Sequence, residues 1–345
     1  MFQRRSRILL IYTGGTIGMI ENANTGALEA FNFDELMLHV PEVKRFNCHI
    51  ASYQFYPAID SSDISPDHWA KLVKVIEYNY DEFDGFVVLH GTDTMAFTAS
   101  ALSFMLENLC KPVILTGSQL PIGKLRTDGK ENLITSIEVA MAKRRDNTPM
   151  VQEVAVFFES KLMRGNRTTK FSAEEFNAFK TFNYPPLADV GIEIKFHEHL
   201  LLTGDPKKPL KTHFKMNPNV VILSLAPGIQ ENIVRAMLEA PGLRAVVMRT
   251  YGSGNAPQKD WLVRLLKEAT NKGIAIVNIT QCMSGQVLMS RYETGLHLLQ
   301  AGIMSGRDCT LECAMTKIMF LLAHDRTLAE IQKAMKTSIA GEVTL

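Results

Sequence analysis

Three stretches of this chain gather threonines, glycines and an acid: Thr13-Gly14-Gly15-Thr16-Ile17-Gly18, His90-Gly91-Thr92-Asp93-Thr94 and Thr116-Gly117-Ser118-Gln119. Each follows a short apolar run that reads as a strand. Glycine lets the backbone approach a ligand closely and exposes its N–H groups, and threonine supplies a hydroxyl. A threonine hydroxyl is nearly inert until a neighbouring base removes its proton, so a threonine nucleophile needs one close by. Asp93, directly after Thr92, offers a carboxylate, and Arg164-Gly165-Asn166-Arg167-Thr168-Thr169-Lys170 offers an amine. A lysine beside a carboxylate is normally charged and a poor base. Desolvation disfavours the charged form, and a neutral amine accepts a proton. Each segment alone also has a plainer reading. Gly14-Gly15-x-x-Gly18 could be a degenerate dinucleotide loop, but it lacks the G-x-G-x-x-G spacing. His90 to Asp93 could be a strand-to-helix turn with Asp93 as its cap, and Lys170 a surface lysine opening a helix. The informative feature is their concentration at successive strand ends, where open parallel sheets bind ligands.

The elements that must position these residues are legible as short apolar runs alternating with helical patterns, the signature of βαβ units. Strands are expected at Ile8 to Tyr12, Gly85 to His90, Pro112 to Thr116, Glu153 to Phe158, Val220 to Leu225, Ala245 to Thr250 and Ile274 to Ile279. Their valine and isoleucine content without clean alternation predicts burial on both faces. Ser65-Pro66-Asp67 is a helix start: a serine cap, proline at the first helical position, then an acid at the positive end of the dipole. Further helices are expected from Met95 to Leu109 and from Asp308 to Leu322. Between Phe196 and Pro218 lysines and prolines interrupt the periodicity. The expected organisation is α/β: a larger N-terminal domain over residues 1–195, Rossmann-like or flavodoxin-like with a mainly parallel sheet, a linker over 196–217, and a smaller C-terminal α/β domain over 218–345.

Composition narrows the function classes. With 345 residues, two domains are expected at roughly 150 residues each. The formal net charge of +1 gives no global field to attract nucleic acid or an anionic membrane. The longest apolar runs, such as Ile318 to Ala323, fall far short of the ~20 residues of a membrane helix. Arg4, Arg5 and Arg7 precede an apolar run that stops at Tyr12, shorter than the ~7–15 residues of an export signal, so that run is read as a buried strand and the protein as cytoplasmic. Cys48, Cys110, Cys282, Cys309 and Cys313 are odd in number and form no Cys-x-x-Cys pair. Cys309 and Cys313, four apart on an expected helix, have no histidine or third thiol nearby and are read as core packing.

Taken together, the first two motifs, the spacing between them and the Arg164 to Lys170 stretch resemble the bacterial asparaginase family. Asp60-Ser61-Ser62-Asp63, Asn255-Ala256-Pro257-Gln258 and Gln281-Cys282-Met283-Ser284-Gly285 are similar to its cytoplasmic, type I branch, and the resemblance covers essentially the whole chain. It implies hydrolysis of L-asparagine to L-aspartate and ammonia through an acyl-enzyme, with no metal and no cofactor. Thr16 matches the family's first catalytic threonine. Thr92, Asp93 and Lys170 match the second catalytic cluster, thought to activate Thr16 or the hydrolytic water. Ser61 and Asp93 match the positions that hold the substrate's α-carboxylate and α-ammonium, with Asp60 and Ser62 beside them. Backbone N–H groups around Gly91 and Thr92 would face the developing oxyanion. Many relatives carry a tyrosine in the loop after the first motif; here Asn24-Thr25-Gly26-Ala27-Leu28 has none, and Tyr292 matches a C-terminal-domain tyrosine that some relatives use instead, a structural tyrosine being the other reading. The resemblance also implies a homo-oligomer, a dimer or dimer of dimers. Type I relatives often respond cooperatively, and Arg249, with Thr169 and Cys282, could line a second, regulatory asparagine site, since a guanidinium binds a carboxylate bidentately; a plain arginine running from core to surface is the other reading.

Other readings are a glutaminase-asparaginase or a tRNA-linked amidotransferase subunit of the same fold, a catalytically silent amino-acid sensor, and a nicotinamide oxidoreductase. The amidotransferase would carry an N-terminal extension, whereas here the first motif begins at Thr13. The intact set Thr16, Thr92, Asp93 and Lys170 argues against the sensor, and the missing glycine fingerprint against the oxidoreductase.

Overall fold

The computed structural model describes residues 4–21, 28–30, 38–290, 293–324 and 326–345. Two compact units divide the chain: Met1–Thr181 with Pro185–Phe214, and Phe182–Tyr184 with Lys215–Leu345. The division falls inside the proline- and lysine-rich stretch, whose first part is built onto the first unit. There the Leu202 N–H donates to the Glu153 carboxylate at 2.8 Å, the Gly204 N–H to Gln152 Oε1 at 2.9 Å and the Asp205 N–H to Asn108 Oδ1 at 2.8 Å.

In the first unit the strands are β1 (Ser6–Tyr12), β2 (Cys48–Gln54), β3 (Gly85–Leu89), β4 (Val113–Thr116), β5 (Val154–Phe158), β6 (Lys161–Arg164), β7 (Ala188–Val190) and β8 (Ile194–Phe196). They form one sheet in the order β2-β1-β3-β4-β5-β6-β7-β8. β1 to β5 are parallel, and β6, β7 and β8 add on antiparallel. Ile8, Leu10, Ile11, Val87, Val88, Leu115 and Val156 are fully buried, as befits strands covered on both faces. The 2-1-3-4-5 order is the flavodoxin-like arrangement, whose strand order reverses between β1 and β3; ligand crevices open at such switch points, beyond the carboxyl ends of the strands. Register sharpens the point. Tyr12 stands opposite both Gln54 and Leu89, and Leu89 opposite Thr116, so β2, β1, β3 and β4 end in one row. The loops that follow all leave the sheet at one level.

Three helices accompany these strands: α1 (Pro66–Tyr78), α2 (Met95–Met105) and α3 (Gly129–Met141). At the start of α1 the Ser65 N–H donates to His68 Nδ1 at 3.1 Å, satisfying a donor ahead of Pro66. α2 is buried almost all round, through Met95, Ala96, Ala99, Leu102 and Met105. It ends at Met105 rather than Leu109, because Leu106–Glu107 pairs antiparallel with Lys211–Thr212 and Asn108 takes a φ of 61°.

The second unit has a four-stranded parallel sheet of β9 (Val220–Ser224), β10 (Ala245–Thr250), β11 (Ala275–Thr280) and β12 (Met304–Ser305), in that order. Its helices are α4 (Glu231–Leu238), α5 (Asp260–Asn271), α6 (Glu293–Gln300), α7 (Leu311–Leu322) and α8 (Leu328–Lys336). α7 starts three residues later than the sequence suggested: the Thr310 hydroxyl accepts the Cys313 N–H at 3.1 Å and caps the helix there. Cys309 thus precedes the helix, yet its sulfur lies 3.6 Å from that of Cys313 and both residues are buried. Lys317 and Glu342 form a fully buried ion pair at 2.6 Å. Among the described residues no helix is long and apolar enough to cross a membrane.

Candidate active site

The loops after β1, β2 and β3 close on one another through their backbones. The Thr13 N–H donates to Leu89 O at 3.0 Å, and Thr13 O accepts the Ile59 N–H at 2.8 Å. Glycine is required where they touch. Gly15 has a φ of 91°, and a Cβ there would stand 2.4 Å from Gly91 Cα; a Cβ on Gly91 would stand 2.5 Å from Ser61 Oγ. Gly15, Gly91 and Ser61 therefore abut, and the residues beside them, Thr16 and Thr92, are carried to the same rim.

Thr16 opens a single 3₁₀ turn, Thr16–Gly18, and is partly exposed, while Ile17 behind it is fully buried. Ser61 is 4% exposed, and its carbonyl accepts the Thr94 hydroxyl at 2.6 Å. Asp60 caps the short Ser61–Asp63 turn, accepting the backbone N–H and the hydroxyl of Ser62, both at 2.9 Å. Those two bonds, the backbone one first, hold its carboxyl below the ordinary range. Asp60 and Ser62 thus satisfy each other at the exposed rim.

Lys170 supplies the connection that sequence spacing could not. Its ammonium donates to Thr92 Oγ1 at 2.8 Å and to Asp93 Oδ1 at 2.7 Å. Its side chain is 16% exposed and that of Asp93 67%. The Thr92 hydroxyl donates onward to Gln119 Oε1 at 3.2 Å. Gln119 Nε2 donates to the Ala173 and Glu175 carbonyls, at 3.3 and 3.1 Å. Carbonyls only accept, so the Gln119 amide has one orientation, with its oxygen toward Thr92. Asp128 holds the Gln119 backbone, accepting the N–H groups of Gln119 and Leu120. Burial pushes the Asp128 carboxyl up and these bonds only partly offset it. Gln119 was visible as part of a strand-end tetrapeptide. Asp128 was missed; its signal was its place in Thr127-Asp128-Gly129 at the mouth of α3.

Behind the rim His90 is 1% exposed. Its Nδ1 lies 2.7 Å from the Gly91 carbonyl, which can only accept, so Nδ1 carries the proton. Nε2 then accepts the Thr98 hydroxyl at 2.9 Å, and that oxygen accepts the Trp69 indole N–H at 3.0 Å. Burial lowers the His90 pKa to about 4, outweighing the Gly91 bond, so the ring is neutral.

The remaining candidates are not all gathered here. Thr169 begins a short ladder in the first unit, opposite Lys180. Arg249 and Cys282 lie in the second unit, at the carboxyl ends of the adjacent strands β10 and β11, where Gln281 Nε2 donates to Arg249 O at 2.9 Å. Cys282 is exposed, its N–H donating to Thr280 Oγ1 at 3.0 Å. Tyr292 and the segment from Asn24 to Ala27 lie outside the described residues. Among the described residues no group of three or more His, Cys, Asp or Glu side chains converges as for a metal ion.

Known proteins share this chain along its whole length. The family model "Asparaginase, N-terminal" matches residues 7–202, and "Glutaminase/Asparaginase C-terminal domain" matches 219–335. L-asparaginase 1 of Escherichia coli (strain K12) is 42% identical over 352 aligned positions, covering 99% of each chain. The crystal structure of L-asparaginase I from Vibrio cholerae superposes with a TM-score of 0.89 at 39% identity, covering 99% of this chain and 100% of that one. The thermostable L-asparaginase from Thermococcus kodakarensis gives 0.89 at 34% identity, over 98% and 99%. With both family models matched in order across the two α/β units, this chain belongs to the asparaginase family.

Proposed function

We propose that this protein hydrolyses L-asparagine to L-aspartate and ammonia, with Thr16 as nucleophile. The observation that carries the mechanism is the Lys170 ammonium shared between Thr92 and Asp93, at 2.8 and 2.7 Å, on the rim where Gly15 meets Gly91. The substrate's α-carboxylate and α-ammonium sit against Ser61 and Asp93, with Asp60 and Ser62 shaping the same turn. The Thr16 oxygen attacks the side-chain amide carbon, and its proton passes to the departing nitrogen. Ammonia leaves and an ester remains on Thr16. Water then attacks the ester, its proton passing through the Thr92 hydroxyl to the departing Thr16 oxygen while the Lys170 ammonium holds the Thr92 oxygen in place; Thr16 so recovers its proton and aspartate is released. Backbone N–H groups around Gly91 and Thr92 face the oxyanion in both steps, where fixed donors contribute most. The reaction needs neither metal nor cofactor.

The same reading makes the protein cytoplasmic, supported by its five free thiols, and a dimer or homotetramer. Tyr292 supplies the phenol absent from Asn24 to Leu28. Arg249, with Cys282 beside it, takes up asparagine at a second, regulatory site. What supports the Arg249 part is its place at a strand's carboxyl end next to the Gln281–Cys282 loop.

Ammonia release from L-asparagine and L-glutamine, followed over a wide concentration range, tests the activity. A pocket gripping both α-groups fixes the distance to Thr16, and one extra methylene displaces the amide by about an ångström, a misplacement costing ~10²-fold. Asparagine is expected to be preferred by about that factor in kcat/KM. Equal kcat/KM for the two amides, or no ammonia from either, overturns the reading.

A further inference from the structure

Tyr12, the last residue of β1, has no part in the chemistry above, yet it reaches across the first motif to the far end of the Thr16 turn. Its hydroxyl donates to Gly18 O at 2.9 Å. Its ring occupies the space a Gly18 side chain would need: a Cβ there would lie 2.3 Å from Cζ and 2.4 Å from Oη. Tyr12 is 4% exposed, and its own carbonyl accepts the Phe55 N–H at 2.8 Å, so the residue is fixed to the sheet. Gly18 in turn closes the turn that Thr16 opens: its N–H donates to Gly15 O at 3.2 Å, and the Met19 N–H to Thr16 O.

The approach to Thr16 is conformationally loose by itself. Gly14 and Gly15 have φ values of 137° and 91°, in regions that glycine enters freely and leaves as freely. A turn at the end of such a linker needs fastening on its far side. Ile17 fastens it by burial, and the Tyr12–Gly18 bond fastens it to the sheet with a fixed direction. We propose that Tyr12 is a positioning residue for Thr16: by holding the Gly18 carbonyl it sets the direction of the Thr16 hydroxyl, and Gly18 lacks a side chain so that the phenol can reach. The phenol does so only as a donor. Burial pushes its pKa up to about 12, so it keeps its proton wherever the enzyme works.

This inference rests on Thr16 being the nucleophile, and the experiment keeps the two apart. Steady-state kinetics and thermal melts are compared for Tyr12→Phe, Gly18→Ala, the double variant and Thr16→Ala. Tyr12→Phe keeps the ring and removes only the bond, so kcat is expected to fall about tenfold or more through misaligned attack. KM should stay within about threefold, because the substrate's α-groups are held by other loops. The pH profile should keep its limbs. Gly18→Ala, which cannot coexist with the ring as placed, should lower kcat similarly, and the double variant should be no worse than the poorer single, since both act by moving one turn. Wild-type kcat in Tyr12→Phe, a new pH limb, or additive losses in the double variant would overturn the proposal while leaving the nucleophile in place. If Tyr12→Phe does not fold, Gly18→Ala decides alone: a loss confined to kcat supports the clamp, and unchanged kcat ends it. Turnover retained in Thr16→Ala defeats the nucleophile itself, whatever Tyr12→Phe does.

Discussion

Thr92 is hydrogen-bonded on both sides, receiving from Lys170 and giving to Gln119, so its oxygen is held in place before any substrate arrives. Thr16 sits one residue past the point where Gly15 meets Gly91. Two hydroxyls whose loops abut should act as one unit. Thr16→Ala and Thr92→Ala are each expected to remove nearly all turnover with the fold intact, and the double variant to be little worse than either, because residues acting together are non-additive. Initial-rate measurements on the purified variants check this; either single variant keeping more than about a tenth of wild-type kcat, some 1.4 kcal/mol, speaks against a shared unit. The hydroxyls and Asp93 were legible in the sequence as a concentration of residue types. Lys170 was legible only as an available amine, since it stands 78 positions from Thr92 and meets it only once the chain is folded; the family resemblance matched it to the Thr92 cluster.

Among the elements, the buried interior was the legible part. β1, β3, β4 and β5 are apolar runs in the sequence because both their faces are covered. β2 was missed because Cys48–Gln54 lies at the sheet's edge and mixes exposed with half-buried positions. β6, β7 and β8 are short and paired antiparallel, and nothing local distinguishes them from loop. The overrun of α2 to Leu109 has a non-local cause: its partner strand, Lys211–Thr212, lies a hundred residues away in sequence. His90 joins three elements, following β3 directly and reaching Thr98 in α2, which meets Trp69 in α1. Its neutral form is favoured by folding, with a pKa of about 4 against 6.5 when exposed. As pH falls from 6.5 the unfolded chain takes up the proton first, so stability present above 6.5 is lost on the way to 4, by up to about 3 kcal/mol. His90→Asn, whose amide can still donate to the Gly91 carbonyl, should lose correspondingly less over that window. Urea unfolding at pH 6.5 and 4.5 reads the difference between the two proteins; equal losses would show that His90 does not carry it.

Over the whole molecule, the alternation of apolar runs with helical patterns indicated an α/β chain, its net charge gave no field for nucleic acid, and the switch between β1 and β3 gave the site its place. The stretch between the halves resisted reading for a physical reason. Its prolines and lysines look unstructured locally, yet backbone donors at Leu202, Gly204 and Asp205 are met by side chains at Glu153, Gln152 and Asn108, distant in sequence. The second unit carries the regulatory proposal. If Arg249 binds the carboxylate of a second asparagine, Arg249→Ala should flatten a sigmoidal saturation curve and shift its midpoint, while turnover at saturating asparagine survives. An unchanged shape and midpoint would remove the second site from the account.

Threonine chemistry at this rim is read most directly by trapping the covalent intermediate. The enzyme is mixed with L-asparagine, quenched in acid within the first turnover, digested, and its peptides weighed. The expected result is an aspartyl ester on the peptide carrying Thr16, appearing together with the first equivalent of ammonia and missing from Thr16→Ala. An ester on the peptide carrying Thr92, or a burst of ammonia with no ester on any threonine, would contradict the assignment of Thr16 as the nucleophile.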